Sequence, residues 1–197
     1  MMRCALLFAL SAAALAACSV DSRRDYLGDQ TPGRFGIGTP ASPQEIAAAD
    51  IDVSPDGAGL PPGRGTSAEG AKVFATSCAS CHGANGEGLG TYPALIGGPR
   101  GTFDFASDPK MLRTIGNYWP YATTVFDYVR RAMPLTAPGS LTADETYAVT
   151  AYLLARNGLI DSGAVIDAQS LPKVVMPARD HFVVDDRRGS LGGKFVR

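Results

Sequence analysis

The stretch CASCHGANGEG, residues 78–88, brings two cysteines and a histidine close enough together to hold one ligand. Cys78 and Cys81 are separated by two residues, and His82 follows directly. A structural zinc site needs four ligands, usually supplied by two such clusters. The other histidine is His181, and the other cysteines lie within the first 18 residues, so a second cluster is missing. The pattern therefore disfavours zinc.

A redox-active dithiol is a second interpretation of the cysteine pair. Thioredoxin-like proteins place such a dithiol between a strand and a helix of an α/β fold, and this chain has no pattern that predicts such a sheet. In the motif C-x-x-C-H, by contrast, the two thiols add to the vinyl groups of haem and the histidine ligates the iron. We therefore predict one haem c, attached through Cys78 and Cys81, with His82 as an iron ligand.

A six-coordinate haem iron needs a second axial ligand, and four side chains could supply it: Met111, Met133, Met176 and His181. We predict Met133, because it lies in a loop between two predicted helices, where Pro134 stiffens the backbone. Met111 falls inside a predicted helix as a core residue. Met176 and His181 lie in a C-terminal segment that would have to fold back a long way. A thioether ligand raises the reduction potential relative to a second imidazole.

The helix that carries the cysteines is predicted to begin at Thr66, which forms a capping box with Glu69. One face of this helix has apolar or small residues at helical spacing: Gly70, Val73, Phe74, Ser77, Cys78 and Cys81. Both cysteines therefore lie on the apolar face of this helix and point toward the core.

The last helix is predicted to begin at a second capping box, Thr142 with Glu145, and to stop at Asn157 and Gly158 in a left-handed conformation.

Three further helix starts are marked by proline. One helix is predicted to begin at Pro109, after Ser107 or Asp108, and to end at Gly116; another runs from Pro120 to Ala132. A short helix is predicted at residues 42–50, where Ser42 caps and Pro43 occupies the first turn. Strand-like alternation is absent over any long stretch, so we predict an all-α domain over residues 66–158.

Long arms flank this domain. Residues 18–65 are dense in turn signals and are interpreted as a linker or docking arm, and residues 159–197 as an extended arm that runs over a surface. The formal net charge is −1 and the chain has no basic block, so we expect no binding to nucleic acid.

The first residues have the layout of an export signal. Residues 1–17 combine a short charged start with an apolar run that is too short to span a membrane. The following LAAC, residues 15–18, resembles the lipobox of bacterial lipoproteins, which implies cleavage before Cys18 and lipidation of that cysteine. We therefore expect a periplasmic protein that is attached to a membrane through lipid.

Four strings, CASCHGANGEG, YPALIG, RRAMPLT and YAVTAYLLARNG, together resemble class I cytochromes c over residues 66–158. The resemblance implies a small helical bundle around one haem. It also implies that the carbonyl of Pro93 accepts a hydrogen bond from the imidazole of His82, and that Leu95 lies against the haem plane. In that family the first and last helices cross, which would bring Phe74 against Tyr152.

A narrower resemblance extends into both arms. The strings GIGTPASPQEIAAADIDVSPDGAGLPPGRGT, TIGNYWPYATTVFDYVRRAMPLTAPGSLT and LPKVVMPARDHF are similar to the cytochrome subunits of bacterial sulfite and sulfane dehydrogenases. This implies a partner, a molybdenum-containing dehydrogenase subunit, and a role in sulfur oxidation. Some relatives carry two haem domains, whereas this chain has a single C-x-x-C-H and therefore no two-haem relay.

The expected function is transfer of single electrons from that dehydrogenase subunit to a downstream cytochrome or oxidase, without catalysis by this chain itself. Two alternatives stay open. The chain could carry electrons for another periplasmic dehydrogenase, or it could be a haem peroxidase or gas sensor, which needs an open axial position on the iron.

Overall fold

The computed structural model describes residues 38–98, 101, 103, 105 and 107–182. Contacts divide the chain into two units, Met1–Pro43 and Gln44–Arg197. The first unit lies almost wholly outside the described residues, as do the predicted signal segment and Cys18, and the following account concerns the second unit. Among the described residues, no helix has both the length and the apolar character that membrane crossing requires.

The described chain contains short helices joined by turns, and a small sheet. In chain order these are helix α1 Pro43–Ala49, strand β1 Arg64–Thr66, helices α2 Ser67–Ser77, α3 Ala79–His82, α4 Ile115–Tyr118, α5 Ala122–Ala132 and α6 Ala143–Arg156, strand β2 Val165–Asp167, and two 3₁₀ helices, Leu171–Lys173 and Arg179–His181.

Both predicted capping boxes are present. At the start of α2, the Thr66 hydroxyl accepts a hydrogen bond from the Glu69 backbone N–H, and the Glu69 carboxylate accepts one from the Thr66 backbone N–H at 2.8 Å. Thr142 and Glu145 form the same pair at the start of α6. Each pair satisfies backbone donors that have no partner within the helix, so local sequence alone sets where these two helices begin.

The first and last helices of the domain, α2 and α6, pack closely against each other. A Cβ atom added at Gly70 would stand 1.9 Å from the carbonyl oxygen of Ala148, so no larger residue fits at this contact. One turn later, the rings of Phe74 and Tyr152 lie 5.0 Å apart between centroids. The predicted contact between these helices is therefore confirmed, and it forms one side of the core.

The helix predicted to run from Pro109 to Gly116 is wrong. Residues 107–111 form turns, and the helix in this region is α4, which contains Gly116. The Asp108 carboxylate accepts from the backbone N–H of Lys110 at 3.0 Å, so it stabilises a local turn in place of a helix start. Met111 consequently lies in a half-buried turn beside the exposed Leu112, and its predicted role inside a helix is also wrong.

The N-cap of α4 is Thr114, whose backbone N–H donates to the side-chain oxygen of Asn117 at 2.8 Å. Helix α5 begins at Ala122, two residues after the predicted start, and it ends at Ala132 as predicted. A difference of two residues at the start of α5 is within the usual variation of helix boundaries.

A two-stranded antiparallel sheet joins the start of the domain to the segment after α6. Strand β1 pairs with β2 in the register Gly65 opposite Ile166. Strands of three residues are too short to show alternation, so no sequence pattern indicated them.

The segment after Gly158 was expected to run over a surface, but part of it packs into the core. Four of its side chains belong to the buried interior: Ile166, Leu171, Met176 and Ala178. Three of them are part of the main hydrophobic cluster that also contains Phe74 and Tyr147. Apolar residues spaced along an irregular segment gave no periodicity, and only the folded structure shows which of them are buried.

The segment before β1 is anchored on α5 by side-chain hydrogen bonds. Asp127 accepts from the backbone N–H of Val53 at 2.8 Å, Thr123 donates to the carbonyl of Pro55 at 2.9 Å, and Arg130 donates to a further carbonyl, that of Ile51, at 3.1 Å. The last part of the predicted docking arm therefore packs on the helix that leads to Met133.

Candidate haem-attachment site

Cys78 interrupts the helix that presents the cysteine pair. Its backbone N–H donates to the carbonyl of Phe74 at 2.9 Å, so it still closes α2. Its own carbonyl accepts from the backbone N–H groups of Cys81 and His82 at 3.1 and 3.0 Å, which begins the short helix α3. The two thiols are half-buried and form no disulfide. The break therefore presents both sulfur atoms and the imidazole from one tight turn.

The environment of the thiols does not favour a redox dithiol. Burial is the main cause that raises the pKa of the Cys78 thiol to about 11, and the charge interaction with the neighbouring Cys81 adds to it. A redox-active pair needs a thiolate near neutral pH, and such a thiolate is found where the cysteine pKa is lowered by positive charge or a helix N-terminus. The raised pKa of Cys78 and the half-burial of both thiols therefore argue against a redox pair.

His82 is buried, with 8% of its surface exposed, and its orientation is set by a backbone carbonyl. The Nδ1 atom lies 2.9 Å from the carbonyl oxygen of Pro93. Because a carbonyl only accepts, Nδ1 must carry the proton, and Nε2 keeps the lone pair that can ligate a metal. The same hydrogen bond raises the basicity of the imidazole as a ligand.

Leu95 is half-buried, packs against the core, and lies in a loop that is tied on two sides. Its backbone N–H donates to the carbonyl of Gly86, in the turn after the cysteine pair, at 2.8 Å. Its own carbonyl accepts from the backbone N–H of Ile115 at 3.2 Å and from the side-chain amide of Asn157 at 3.1 Å. The loop that follows Pro93 is thereby connected to two helices.

Met133 is the C-cap of helix α5, directly after Ala132, and its backbone N–H donates to the carbonyl of Val129 at 3.1 Å. Its side chain is partly buried against the core, and the bond to Pro134 is cis. The other candidate ligands have different surroundings: Met176 is 1% exposed in the core, and His181 is exposed and stacks on a phenylalanine ring. Met133 as the second axial ligand stays a prediction.

The residues present fit a covalently attached haem. The donor set comprises two thiols that form no disulfide, an imidazole whose Nδ1 is held by a carbonyl so that Nε2 is left for a ligand, and a thioether at a partly buried position. Three apolar side chains, one beside Cys78 and two in the loop after Pro93, are only partly buried: Ala79, Leu95 and Ile96. Partly exposed apolar surface of this kind is stabilised when a flat apolar group covers it.

Sequence reasoning missed Asn157 as a residue of this region. It was predicted to form a left-handed stop with Gly158, but its φ and ψ are −86° and 0°, and only Gly158 is left-handed, with φ of 68°. Asn157 is 6% exposed, and its amide donates to two carbonyls. An asparagine at a helix end is common, so its pattern gave no sign of this role.

Comparison with known proteins agrees with this geometry. The family model described as cytochrome c matches residues 67–157. No curated protein matches the chain significantly. A chain of the sulfane dehydrogenase SoxCD from Paracoccus pantotrophus, known from its crystal structure, is 46% identical, with a TM-score of 0.69 over 78% of this chain and 74% of that chain. The chain therefore belongs to the cytochrome c family, with a class I cytochrome c fold, and it is an electron carrier with haem c attached at Cys78 and Cys81.

Proposed function

We propose that this chain is the electron-transfer subunit of a periplasmic sulfane or sulfite dehydrogenase. It would accept single electrons from a molybdenum-containing subunit and pass them to a downstream cytochrome or oxidase. The observation that carries the proposal is the 46% identity to a chain of a sulfane dehydrogenase, over 78% of this chain. The match to the sulfane dehydrogenase chain is longer than the match to the cytochrome c family model, which covers residues 67–157. The similarity therefore includes segments outside the haem domain, which a cytochrome c without this partner has no reason to keep.

The residues of the site have distinct parts in this function. Bound haem supplies a one-electron couple between ferric and ferrous iron. Cys78 and Cys81 would hold the group covalently, and His82, through Nε2, and Met133, through its sulfur, would be the protein ligands of the iron. With both of these ligands supplied by the protein, no position on the iron would be left for a substrate, so the chain would pass electrons without catalysing a reaction itself.

The half-buried apolar surroundings of the site support electron transfer. Partly buried apolar side chains such as Leu95 and Ile96 would keep water away from a bound haem, which would limit solvent reorganisation during electron transfer. The hydrogen bond from His82 to Pro93 would hold the imidazole in one orientation toward the iron.

The proposed arrangement of the chain follows from the sequence. Residues 1–17 direct export, Cys18 carries lipid and attaches the protein to a membrane, and residues 18–65 lead to a haem domain at residues 66–158. Residues 159–197 form a C-terminal arm, part of which packs on the domain. Replacing Cys18 with serine would move the protein from the membrane fraction to the soluble fraction, whereas an unchanged distribution would contradict lipid anchoring.

Copurification tests the partner. The chain, expressed in its native host and purified by an affinity tag, is expected to carry a second protein with stoichiometric molybdenum. Addition of sulfite or a sulfane-containing sulfur compound should then reduce the haem, as followed by its absorption spectrum. A molybdenum-free preparation whose haem is reduced by another periplasmic dehydrogenase would contradict this partner and favour a different electron donor.

Met133→Ala tests the closed iron site. We expect the reduced wild-type protein to bind carbon monoxide slowly, because Met133 must first leave the iron, and the variant to bind it rapidly. Met111→Ala is the matched control, since Met111 lies in a half-buried turn outside the predicted ligand set. Rapid binding by the wild type would instead indicate an open axial position and favour a sensor or peroxidase.

A further inference from the structure

Asn157 is a buried polar residue at the end of α6 with two hydrogen-bond acceptors directed at it. Its side chain lies within hydrogen-bonding distance of the carbonyl oxygens of Leu95, at 3.1 Å, and Leu153, at 2.8 Å. Because both partners only accept, the nitrogen of the amide must face them. The bond to Leu153 lies within the helix, but the bond to Leu95 joins residues 62 apart in the chain.

Thr114 reaches the same loop from another element. It is 2% exposed, and its hydroxyl donates to the carbonyl of Gly97 at 2.6 Å. The next residue, Ile115, donates its backbone N–H to the carbonyl of Leu95 at 3.2 Å. The loop at residues 95–97 is therefore held by two buried side chains and one backbone group.

The other side of this loop is joined to the turn that carries His82. The backbone N–H groups of Leu95 and Ile96 both donate to the carbonyl of Gly86, at 2.8 and 3.0 Å. Pro93, two residues before Leu95, accepts the hydrogen bond from His82. Since proline has a fixed φ, the direction of its carbonyl depends on how the following residues are held.

We propose that Asn157 and Thr114 are positioning residues for the proximal ligand: they hold the loop at residues 95–97 so that the carbonyl of Pro93 stays aligned with Nδ1 of His82. A strong hydrogen bond at Nδ1 makes the imidazole a more basic ligand, which stabilises ferric iron. The end of α6 thereby influences the reduction potential without touching the haem ligand itself.

The test measures the reduction potential and the exchange rate of the His82 Nδ1 proton in the reduced holoprotein, by potentiometry and proton NMR. Asn157→Ala and Thr114→Val are each expected to shift the potential to more positive values. They should also accelerate exchange of that proton about tenfold, which corresponds to about 1.4 kcal/mol and is of the order of one lost hydrogen bond. Thr114→Ser keeps the hydroxyl and should restore both values.

Thr150→Val provides the matched control. Thr150 is buried in the same helix as Asn157, and its hydroxyl donates within that helix, to the carbonyl of Thr146 at 2.7 Å. This variant should lower stability without moving the potential or the exchange rate. The proposal is overturned if Asn157→Ala and Thr114→Val leave both readouts at their wild-type values, or if Thr150→Val changes them equally. Should Asn157→Ala fail to mature with haem, the two Thr114 variants decide the outcome alone.

Discussion

Replacing Met176 with alanine separates two roles that a methionine in this chain could have. Met176 is 1% exposed and belongs to the hydrophobic core. It is also one of the four side chains that could have supplied the second axial ligand. If it is a core residue only, Met176→Ala will lower the stability of the protein and leave the iron coordination unchanged.

The size of the effect follows from burial. Replacing a fully buried methionine with alanine costs about 2–5 kcal/mol, the sum of lost transfer free energy and a cavity that closes only partly. The adjacent Val175 is 75% exposed, so Val175→Ala is the matched control and should change the free energy of unfolding by no more than about 0.5 kcal/mol.

Denaturant unfolding of the oxidised holoprotein, followed by far-ultraviolet circular dichroism, measures both variants. The absorption band that arises from charge transfer between a thioether sulfur and ferric iron reports the axial ligand in the same samples. We expect that band to persist in Met176→Ala and to be lost in Met133→Ala. Equal stability of Met176→Ala and Val175→Ala would refute the packing of the C-terminal segment, and loss of the band in Met176→Ala alone would refute the assignment of Met133.

Three further predictions concern the helices. Gly70→Ala should destabilise the protein by about 1–3 kcal/mol because its Cβ would stand 1.9 Å from a backbone oxygen; Gly163→Ala, with no atom within 4 Å, is the control in thermal melts. Hydrogen bonds from the backbone N–H and the hydroxyl of Thr142 lower the pKa of Glu145 below its ordinary value of 4.5. The ionised Glu145 side chain therefore stabilises the fold above pH 4.5, and this stabilisation is lost as the pH falls through the lowered pKa. Glu145→Gln should therefore differ from wild type at pH 6 and converge with it in acid, and a difference that persists in acid would contradict this. Burial raises the pKa of Tyr147 to about 12. Between pH 10 and 12 the Tyr147 hydroxyl would therefore ionise in the unfolded chain but not in the folded one, and the free energy of unfolding should fall. An equally steep fall in Tyr147→Phe would show that another group is responsible.

Local sequence signals determined much of this protein. The attachment motif and the two capping boxes each depend on residues no more than four positions apart, and neighbours at that distance meet whatever the rest of the chain does. The same reasoning placed the cysteines on the first helix of the domain, although the structure breaks that helix at Cys78, and it predicted one covalent haem, an all-helical domain and the family. The start signal at Asp108 proved misleading: Asp108 stabilises a turn, and Thr114, which no sequence argument singled out, is the N-cap of α4. Which residue caps a helix depends on burial and on the partners of each side chain.

Only the tertiary structure decided which distant residues meet. Asn157 lies against Leu95, 62 positions away, and an asparagine at a helix end has the same appearance in sequence whether it faces water or a buried carbonyl. Met176 and Leu171 lie in an irregular segment whose apolar residues follow no period, so the sequence predicted a surface arm where the structure has part of the core. Burial is a property of the whole fold, since it depends on what packs on a residue from elements far away in the chain, and those contacts exist only after the helices have crossed.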